Sequence, residues 1–129
     1  MEGERKWVLV VDDNKFVREA VSDIVSLLGF NVARASNGRE ALALFSRRRY
    51  ELILTDFYMP GMDGFELASQ IKRKSPSIPV VLVTGSRRAC AEKTAENIPF
   101  DHVVFKPFVM EEIVDTVKSL TAENGLVMQ

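Results

Sequence analysis

Five polar side chains could act together in one reaction. Each of them stands at or directly after the end of a short apolar run of strand length. They are Asp12, Asp13, Asp56, Thr84 and Lys106, and the runs that lead to them are 7–11, 52–54, 79–83 and 103–105. In an open sheet of parallel strands, ligands bind beyond the carboxyl ends of the strands. If these runs are neighbouring strands, the five side chains meet at one edge of the sheet.

Three carboxylates at one edge need a positive partner. Two of them about 4 Å apart repel by ~1 kcal/mol in water and by ~4 kcal/mol at an effective dielectric constant of 20. Mg²⁺ is the best match, because it is usually held by one or two carboxylates together with waters and phosphate oxygens. We therefore predict that Asp12 and Asp13 hold the metal. Lys106 supplies a compact positive charge and Thr84 a hydroxyl donor.

A metal, an ammonium group and a hydroxyl around one free carboxylate are the equipment for phosphoryl transfer. In that reaction, positioning and charge neutralisation provide most of the catalysis. A carboxylate can itself be the nucleophile and become an aspartyl phosphate. Asp56 is the candidate nucleophile, because the run before it supplies the central strand of the set.

The apolar runs alternate with segments of helical periodicity, which predicts an α/β fold. Predicted strands are 7–11, 30–33, 51–55, 79–84 and 103–105, and predicted helices are 15–28, 38–45, 64–74, 88–97 and 110–121. Asp13-Asn14, Asn37 and Asp63 supply N-cap side chains, and Gly29 closes the first helix. Five βα units with short connections require right-handed crossovers and a parallel sheet covered by helices on both faces.

Composition places the chain among ordinary globular proteins. It has 129 residues, 47% of them hydrophobic and 27% charged, with a net charge of −1. This charge favours neither nucleic acid nor an anionic membrane, and we predict no direct binding to either. One cysteine, Cys90, and one histidine, His102, exclude a Cys/His zinc site, and the lone cysteine suits the cytoplasm. We interpret Arg47, Arg48 and Arg49 as cations that complement the dipole at the end of a helix.

The polar residues belong to segments that resemble the receiver domain of two-component response regulators. These segments are Val10-Val11-Asp12-Asp13-Asn14, Asp56 with Met59-Pro60-Gly61-Met62-Asp63-Gly64, Thr84, and Lys106-Pro107-Phe108. They occur in the family's order and at family-like spacing, and the resemblance extends from about Trp7 to Leu120. We expect residues 1–122 to be the receiver domain and 123–129 to be a tail or the start of a linker.

The resemblance implies a flavodoxin-like (βα)₅ sandwich with strand order 2-1-3-4-5. It also implies Mg²⁺-dependent transfer of a phosphoryl group from a phosphohistidine to Asp56. The metal ligands would be Asp13, Asp56 and the backbone carbonyl of Tyr58, with Asp12 acting through water. By the same resemblance, the chain is a signalling switch that catalyses its own phosphorylation and dephosphorylation. It is then not an enzyme with an independent small-molecule substrate.

The resemblance further implies that Thr84 and Lys106 bind the phosphoryl oxygens and that Lys106-Pro107 is a cis peptide. One departure concerns the position three residues before the lysine, where many receivers carry an aromatic side chain that swings inward. This position is Val103, which cannot make that movement. The adjacent His102 is interpreted as an exposed loop residue.

Two other classes of function remain open beside the phosphorylated receiver. One is a receiver-fold interaction module that is not phosphorylated, and the other is a metal-dependent phosphatase. The phosphatase would need a general base, and the lone His102 is not placed for that task. Partners implied by the receiver resemblance are a sensor histidine kinase or phosphotransfer protein, a downstream effector or output domain, and a phosphorylation-dependent second copy.

Overall fold

Strands and helices alternate along the chain in the computed structural model, which describes residues 5–87 and 98–121. The elements are β1 (Trp7–Val11), α1 (Lys15–Leu27), β2 (Asn31–Ala35), α2 (Gly38–Phe45), β3 (Leu52–Thr55), α3 (Gly64–Lys74), β4 (Val80–Thr84), β5 (His102–Phe105) and α4 (Met110–Leu120). The predicted helix 88–97 lies outside the described residues. The α/β class is confirmed.

The five strands form one parallel sheet in the order β2-β1-β3-β4-β5, which confirms the order that the receiver resemblance implied. Val11, at the end of β1, is paired with Ala35 and with Thr55, the last residues of β2 and β3. On the other side of the sheet, Thr84 is paired with Phe105. These registers bring the carboxyl ends of the strands to one edge.

Apolar side chains cover both faces of the sheet, which explains why the central strands are continuous apolar runs. On one face, strand residues pack against α1 and α4 in a cluster that includes Val8, Val10, Leu52, Leu54, Val25, Ile113 and Val117. On the other face, the cluster with α2 and α3 includes Leu9, Val11, Ile53, Ala41, Leu67 and Ile71. The strands are therefore rigidly held, and so are the residues at their ends.

Side-chain caps start three of the helices near the same edge of the sheet. The backbone N–H groups of Val17, Glu40 and Glu66 donate to the side-chain oxygens of Asn14, Asn37 and Asp63, at 3.1, 2.8 and 2.9 Å. Each cap satisfies one free donor at a helix N-terminus. Because the turns after β1, β2 and β3 end in these caps, their backbone is fixed where the polar side chains gather.

Two local expectations change in the structure. β2 comprises Asn31–Ala35 rather than 30–33, because it is an edge strand in register with β1. His102 is exposed but begins strand β5 instead of lying in a loop. Arg47–Arg49 directly follow the C-cap Ser46 of α2. The Arg48 guanidinium lies 3.8 Å from the ring centroid of Trp7. No helix among the described residues is long and apolar enough to cross a membrane.

Candidate functional site

Three carboxylates meet at the carboxyl edge of the sheet, as predicted from their positions after strands. One oxygen from each of Asp12, Asp13 and Asp56 lies within 4.8 Å of the others, and we call this group the acidic pocket. Asp12 and Asp56 are buried and Asp13 is exposed. The acidic pocket therefore combines two buried carboxylates with one that is exposed to solvent.

Asp12 is held through its carboxylate by two donors. The backbone N–H of Asn14 donates to Oδ1 at 2.9 Å, and the Lys106 ammonium donates to Oδ2 at 3.0 Å. Only 3% of Asp12 is exposed. A buried carboxylate is expensive unless it is paired and hydrogen-bonded, and these contacts satisfy that requirement.

Lys106, which follows β5, connects the acidic pocket with strands β4 and β5. Its Nζ lies 3.0 Å from Asp12 Oδ2 and 3.4 Å from Asp56 Oδ1, so one ammonium faces two carboxylates. Its backbone N–H donates to the carbonyl oxygen of Thr84 at 2.8 Å. The peptide bond to Pro107 is cis, in agreement with the sequence prediction. The position of the ammonium thus depends on the pairing of β4 and β5.

Thr84 ends β4 and is buried, and its hydroxyl oxygen accepts a hydrogen bond from the backbone N–H of Ser86 at 3.2 Å. As the last residue of its strand, it lies at the same edge as the acidic pocket. Val103 packs against Leu82 and Phe57 rather than against the acidic pocket.

The loop after Asp56 folds back tightly on the strand that carries the carboxylate. The backbone N–H of Asp56 donates to Val11 at 2.9 Å, and that of Gly64 donates to Phe57 at 2.7 Å. A Cβ atom at Gly64 would collide with the carbonyl oxygen of Asp56, so only glycine fits there. Tyr58 lies in this loop with its ring 58% exposed, edge-on to the ring of Phe57.

Burial raises the pKa of Asp56 above its ordinary value. The charge of Asp12 raises it further, and the ammonium of Lys106 acts in the opposite direction. A raised pKa means that the folded protein disfavours the ionised carboxylate. The ionised carboxylates of the acidic pocket are therefore destabilised in the absence of a cation. A cation that binds there is stabilised by their negative charge.

The raised pKa of Asp56 predicts a stability change for Asp56→Asn. The folded state binds the proton more tightly than the unfolded state, so stability is lost as the pH rises through the unfolded pKa, near 4, towards the folded value. At pH 7 and without metal, we expect Asp56→Asn to raise the free energy of unfolding by on the order of 1 kcal/mol, since one carboxylate repulsion disappears. Thermal unfolding at pH 7 and pH 4 measures this.

A matched control for that experiment is Asp101→Asn. Asp101 accepts hydrogen bonds from Lys72 Nζ and from the backbone N–H of Val80, both at 2.8 Å. Its carboxylate is stabilising, so its removal should lower the Tm at pH 7 or leave it unchanged. A gain for Asp56→Asn that persisted undiminished at pH 4 would contradict the ionisation argument, because acidification progressively removes the same negative charge that the substitution removes.

The donor set of the acidic pocket fits a hard divalent cation. Three carboxylates converge without a sulfur or imidazole ligand among the described residues of the group. Mg²⁺ prefers oxygen ligands and keeps several waters, so an open pocket with one exposed acid meets its requirements. A cleft of about 920 Å³ opens beside Asp13 and is also lined by Asn37, Arg39 and Met62. A phosphoryl donor could reach the acidic pocket through this cleft.

Arg18 is a contact of the site that sequence reasoning missed. Its guanidinium donates to the backbone carbonyl oxygen of Asp12 at 2.8 Å. The sequence placed Arg18 only on the polar side of the first helix. Its position four residues after the N-cap Asn14 was the available signal, because a long side chain one turn into a helix can reach back to the preceding turn.

Comparisons with known proteins give one consistent result. A family model described as the response regulator receiver domain matches residues 8–118. The chain is 31% identical over 120 residues to a probable transcriptional regulator, ycf27, of Porphyra purpurea, covering 93% of this chain and 49% of that protein. It is 33% identical over 114 residues to the response regulator MprA of Mycolicibacterium vanbaalenii, covering 88% and 49%. The chain thus spans about half the length of the curated relatives it matches.

Solved structures agree with the sequence relatives. A CheY-like receiver domain protein from Methanospirillum hungatei has a TM-score of 0.85 and 25% identity, with coverage of 93% of this chain and 96% of that one. The response regulator TrrA from Thermotoga maritima, solved in complex with Mg²⁺ and BeF, has a TM-score of 0.81 and 32% identity, with coverage of 89% and 98%. These likenesses extend over nearly the whole chain.

Proposed function

The chain belongs to the response regulator receiver domain family of two-component phosphorelays, and we propose that it accepts a phosphoryl group on Asp56. The observation that carries this proposal is the convergence of two further carboxylates and one ammonium on that side chain. Asp56 is the acid on the central strand, between β1 and β4. Its carboxylate lies close to those of Asp12 and Asp13, and the Lys106 ammonium lies 3.4 Å from its Oδ1.

The reaction is a transfer between a phosphohistidine of a partner and the carboxylate. An oxygen of Asp56 attacks phosphorus, a new P–O bond forms, and the P–N bond breaks with its electron pair left on the imidazole. Charge accumulates on the phosphoryl oxygens as this happens, and neutralising that charge is the main catalytic requirement. Lys106, 3.4 Å from Asp56 Oδ1, is close enough to move from the carboxylate to a phosphoryl oxygen.

Asp13, Asp56 and the backbone carbonyl of Tyr58 are the proposed metal ligands, with Asp12 acting through water. The chemistry that a bound Mg²⁺ supplies is neutralisation of the phosphoryl oxygens and of the carboxylates. The exposure of Asp13 and the anchoring of Asp12 by Asn14 and Lys106 fit this division of roles. Thr84 is the proposed hydroxyl donor to the phosphoryl group.

The proposed output is a change in partner binding. The aspartyl phosphate carries about −1.5 to −2 charge where the free carboxylate carries about −1, and it brings three strong acceptor oxygens. The Thr84 hydroxyl now accepts from Ser86, so turning it towards a phosphoryl oxygen would shift the turn after β4. Arg87, in that turn, lies with its guanidinium 4.0 Å from the ring centroid of Phe105 on β5. The turn and the neighbouring strand would therefore respond together.

The experiment that tests the proposal is phosphoryl incorporation from acetyl phosphate, followed by intact mass with and without Mg²⁺. One phosphoryl group per chain that requires Mg²⁺ is expected. Absence of any adduct on a folded protein that binds Mg²⁺ would favour an interaction module that is not phosphorylated. Repeated turnover of the donor without a stable adduct would instead favour an independent hydrolytic activity, which we do not propose for this chain.

The proposed input partner is a histidine kinase or a phosphotransfer protein. Large apolar side chains stand exposed close in sequence to the site residues, namely Phe16 (81% exposed), Tyr58, Val109 and Met110. We propose that these side chains contribute to a protein-binding surface beside the site. A protein donor would cover these side chains while its phosphohistidine reaches Asp56.

Phe16→Ser is expected to slow phosphoryl transfer from a protein donor but not from acetyl phosphate. Phe16 is the second residue of α1 and is largely exposed, so the fold should be unaffected. Loss of an apolar anchor at an interface typically costs 1–3 kcal/mol, and we expect transfer from a cognate phosphohistidine protein to slow about tenfold or more. Labelling by acetyl phosphate should stay within about twofold of the wild type, and equal loss with both donors would contradict the docking role.

The output partner and the extent of the domain are also proposals. The relatives are about twice as long as this chain, which supports a separate effector or output domain, with dimerisation on phosphorylation as one means of control. We propose that residues 1–122 form the receiver and 123–129 its tail or the start of a linker. The family match to 8–118 lies within these bounds. We place the domain in the cytoplasm, without direct contacts to nucleic acid or membrane.

A further inference from the structure

Asp12 has a third anchor in addition to the two on its carboxylate. The guanidinium Nη1 of Arg18 donates to its backbone carbonyl oxygen at 2.8 Å. The backbone N–H of Asp12 donates to Ala35 at 3.1 Å, so both polar groups of its backbone are engaged. Asp12 is therefore fixed by donors on every oxygen and by an acceptor on its nitrogen.

Arg18 is half-buried on α1, and its charge also affects a residue of α2 that contacts the turn after β2. In that turn, Glu40 accepts from the backbone N–H of Ser36 at 2.7 Å and from its hydroxyl at 3.0 Å. The charge of Arg18 contributes to the lowered pKa of Glu40, after the larger effect of those two hydrogen bonds. The guanidinium thus contacts the backbone of the acidic pocket and is near enough to Glu40 to influence the pKa of that carboxylate.

We propose that Arg18 is a positioning residue that sets the direction in which Asp12 and Asp13 present their carboxylates. This rests on the proposed function, since it concerns the Mg²⁺ affinity of the same acidic pocket. The carbonyl of Asp12 belongs to the peptide group that joins Asp12 to Asp13. Holding this oxygen therefore fixes the plane of that peptide and the start of the exposed Asp13 side chain. Outer contacts of this kind orient metal ligands, and their loss typically weakens metal affinity by 10–100-fold.

The sign of the effect distinguishes positioning from charge. Removing a cation close to three carboxylates would, on electrostatic grounds alone, tighten the binding of Mg²⁺. If the metal-free variant stays folded, a loss of affinity on truncation of Arg18 therefore indicates lost orientation of the acids rather than the change in charge. The two explanations give opposite changes in the dissociation constant, which makes the measurement decisive.

The test is Mg²⁺ titration by calorimetry of wild type, Arg18→Ala and Arg18→Lys, with thermal unfolding of each metal-free protein. We expect the Mg²⁺ dissociation constant of Arg18→Ala to rise 10–100-fold, while its metal-free Tm falls by no more than about 4 °C, as for one lost hydrogen bond. Arg18→Lys keeps one donor and should be intermediate. Arg47→Ala is the matched control, because Arg47 is exposed beyond the end of α2, and it should bind as the wild type does.

Two results would overturn the inference while leaving the proposed function intact. One is an Arg18→Ala affinity equal to or tighter than that of the wild type, and the other is a metal-free Tm lowered by more than about 10 °C, which would make the role one of global stability. Failure of the wild type itself to bind Mg²⁺ would overturn the proposed function and this inference together.

Discussion

Asp56→Asn is expected to abolish phosphoryl incorporation from either acetyl phosphate or a phosphohistidine protein. An amide oxygen is a far weaker nucleophile than a carboxylate, so labelling should fall by on the order of 10⁴-fold or more, as when other enzyme nucleophiles are removed. The geometry supports full loss, because Asp56 is the acid that faces Lys106 from the central strand. Intact mass after treatment with donor and Mg²⁺ measures the result.

Asp101→Asn is the control for chemical specificity. Asp101 is a carboxylate of the same chain that pairs with Lys72, and it precedes β5 at the opposite edge of the sheet. It should leave labelling unchanged. Persistent labelling of Asp56→Asn at the wild-type rate would show that another residue accepts the phosphoryl group, and the assignment of Asp56 would then be wrong.

Lys106→Met is expected to have two opposite effects, which makes it the sharpest test of charge in the site. Loss of a preorganised cation should slow phosphoryl transfer by about 10²–10³-fold. The same loss leaves Asp12 and Asp56 without their shared counter-ion. Mg²⁺ should therefore bind about tenfold more tightly, because a positive charge a few ångströms from the metal is removed. Slower chemistry with tighter metal binding is the expected signature.

Lys72→Met is a closely matched control for Lys106→Met. Both ammonium groups pair with a carboxylate, at 2.8 and 3.0 Å, and both side chains are about one-fifth exposed, at 22% and 21%. Lys72 lies on α3 and pairs with Asp101, away from the acidic pocket. It should change neither the transfer rate nor the Mg²⁺ affinity. Weaker Mg²⁺ binding in Lys106→Met would mean that Lys106 orients the acids rather than competes with the metal for them.

Lys106 and Arg18 illustrate two different ways in which a cation can act beside metal ligands. Lys106 contacts carboxylate oxygens directly and so competes with a metal for their negative charge. Arg18 contacts a backbone carbonyl and leaves the carboxylates free. Opposite changes in Mg²⁺ affinity are therefore expected from the two substitutions, although each removes one positive charge from the same part of the molecule.

Strands and helices were predictable wherever the local sequence pattern and the tertiary packing favour the same secondary structure. The central strands are buried on both faces, and their apolar runs are therefore uninterrupted. Asn14, Asn37 and Asp63 cap helices at the predicted places because their side chains satisfy free backbone donors. Gly29 has a φ of 98°, as expected of a residue that ends a helix.

The edge strands were less predictable. β2 includes Arg34 and is only partly buried, so its pattern lacks the apolar run that marks a central strand. Phe30, taken as its first residue, instead packs into the core beside α1. His102 was assigned to a loop because one exposed polar residue gives no strand signal, whereas its pairing with Val81 places it in β5. In both cases the register with a neighbouring strand determines where the edge strand begins.

The alternation of strands and helices, and the polar residues that follow each strand, could be predicted from local patterns alone. The α/β class, the parallel sheet and the five candidate site residues followed from these patterns. The folded chain was needed to show that Lys106 faces two carboxylates, that Asp13 is the exposed acid, and that Arg18 anchors Asp12. Strand ends are specified by local patterns, whereas contacts between residues 12 and 106 depend on the lateral order and register of strands that are distant in the chain.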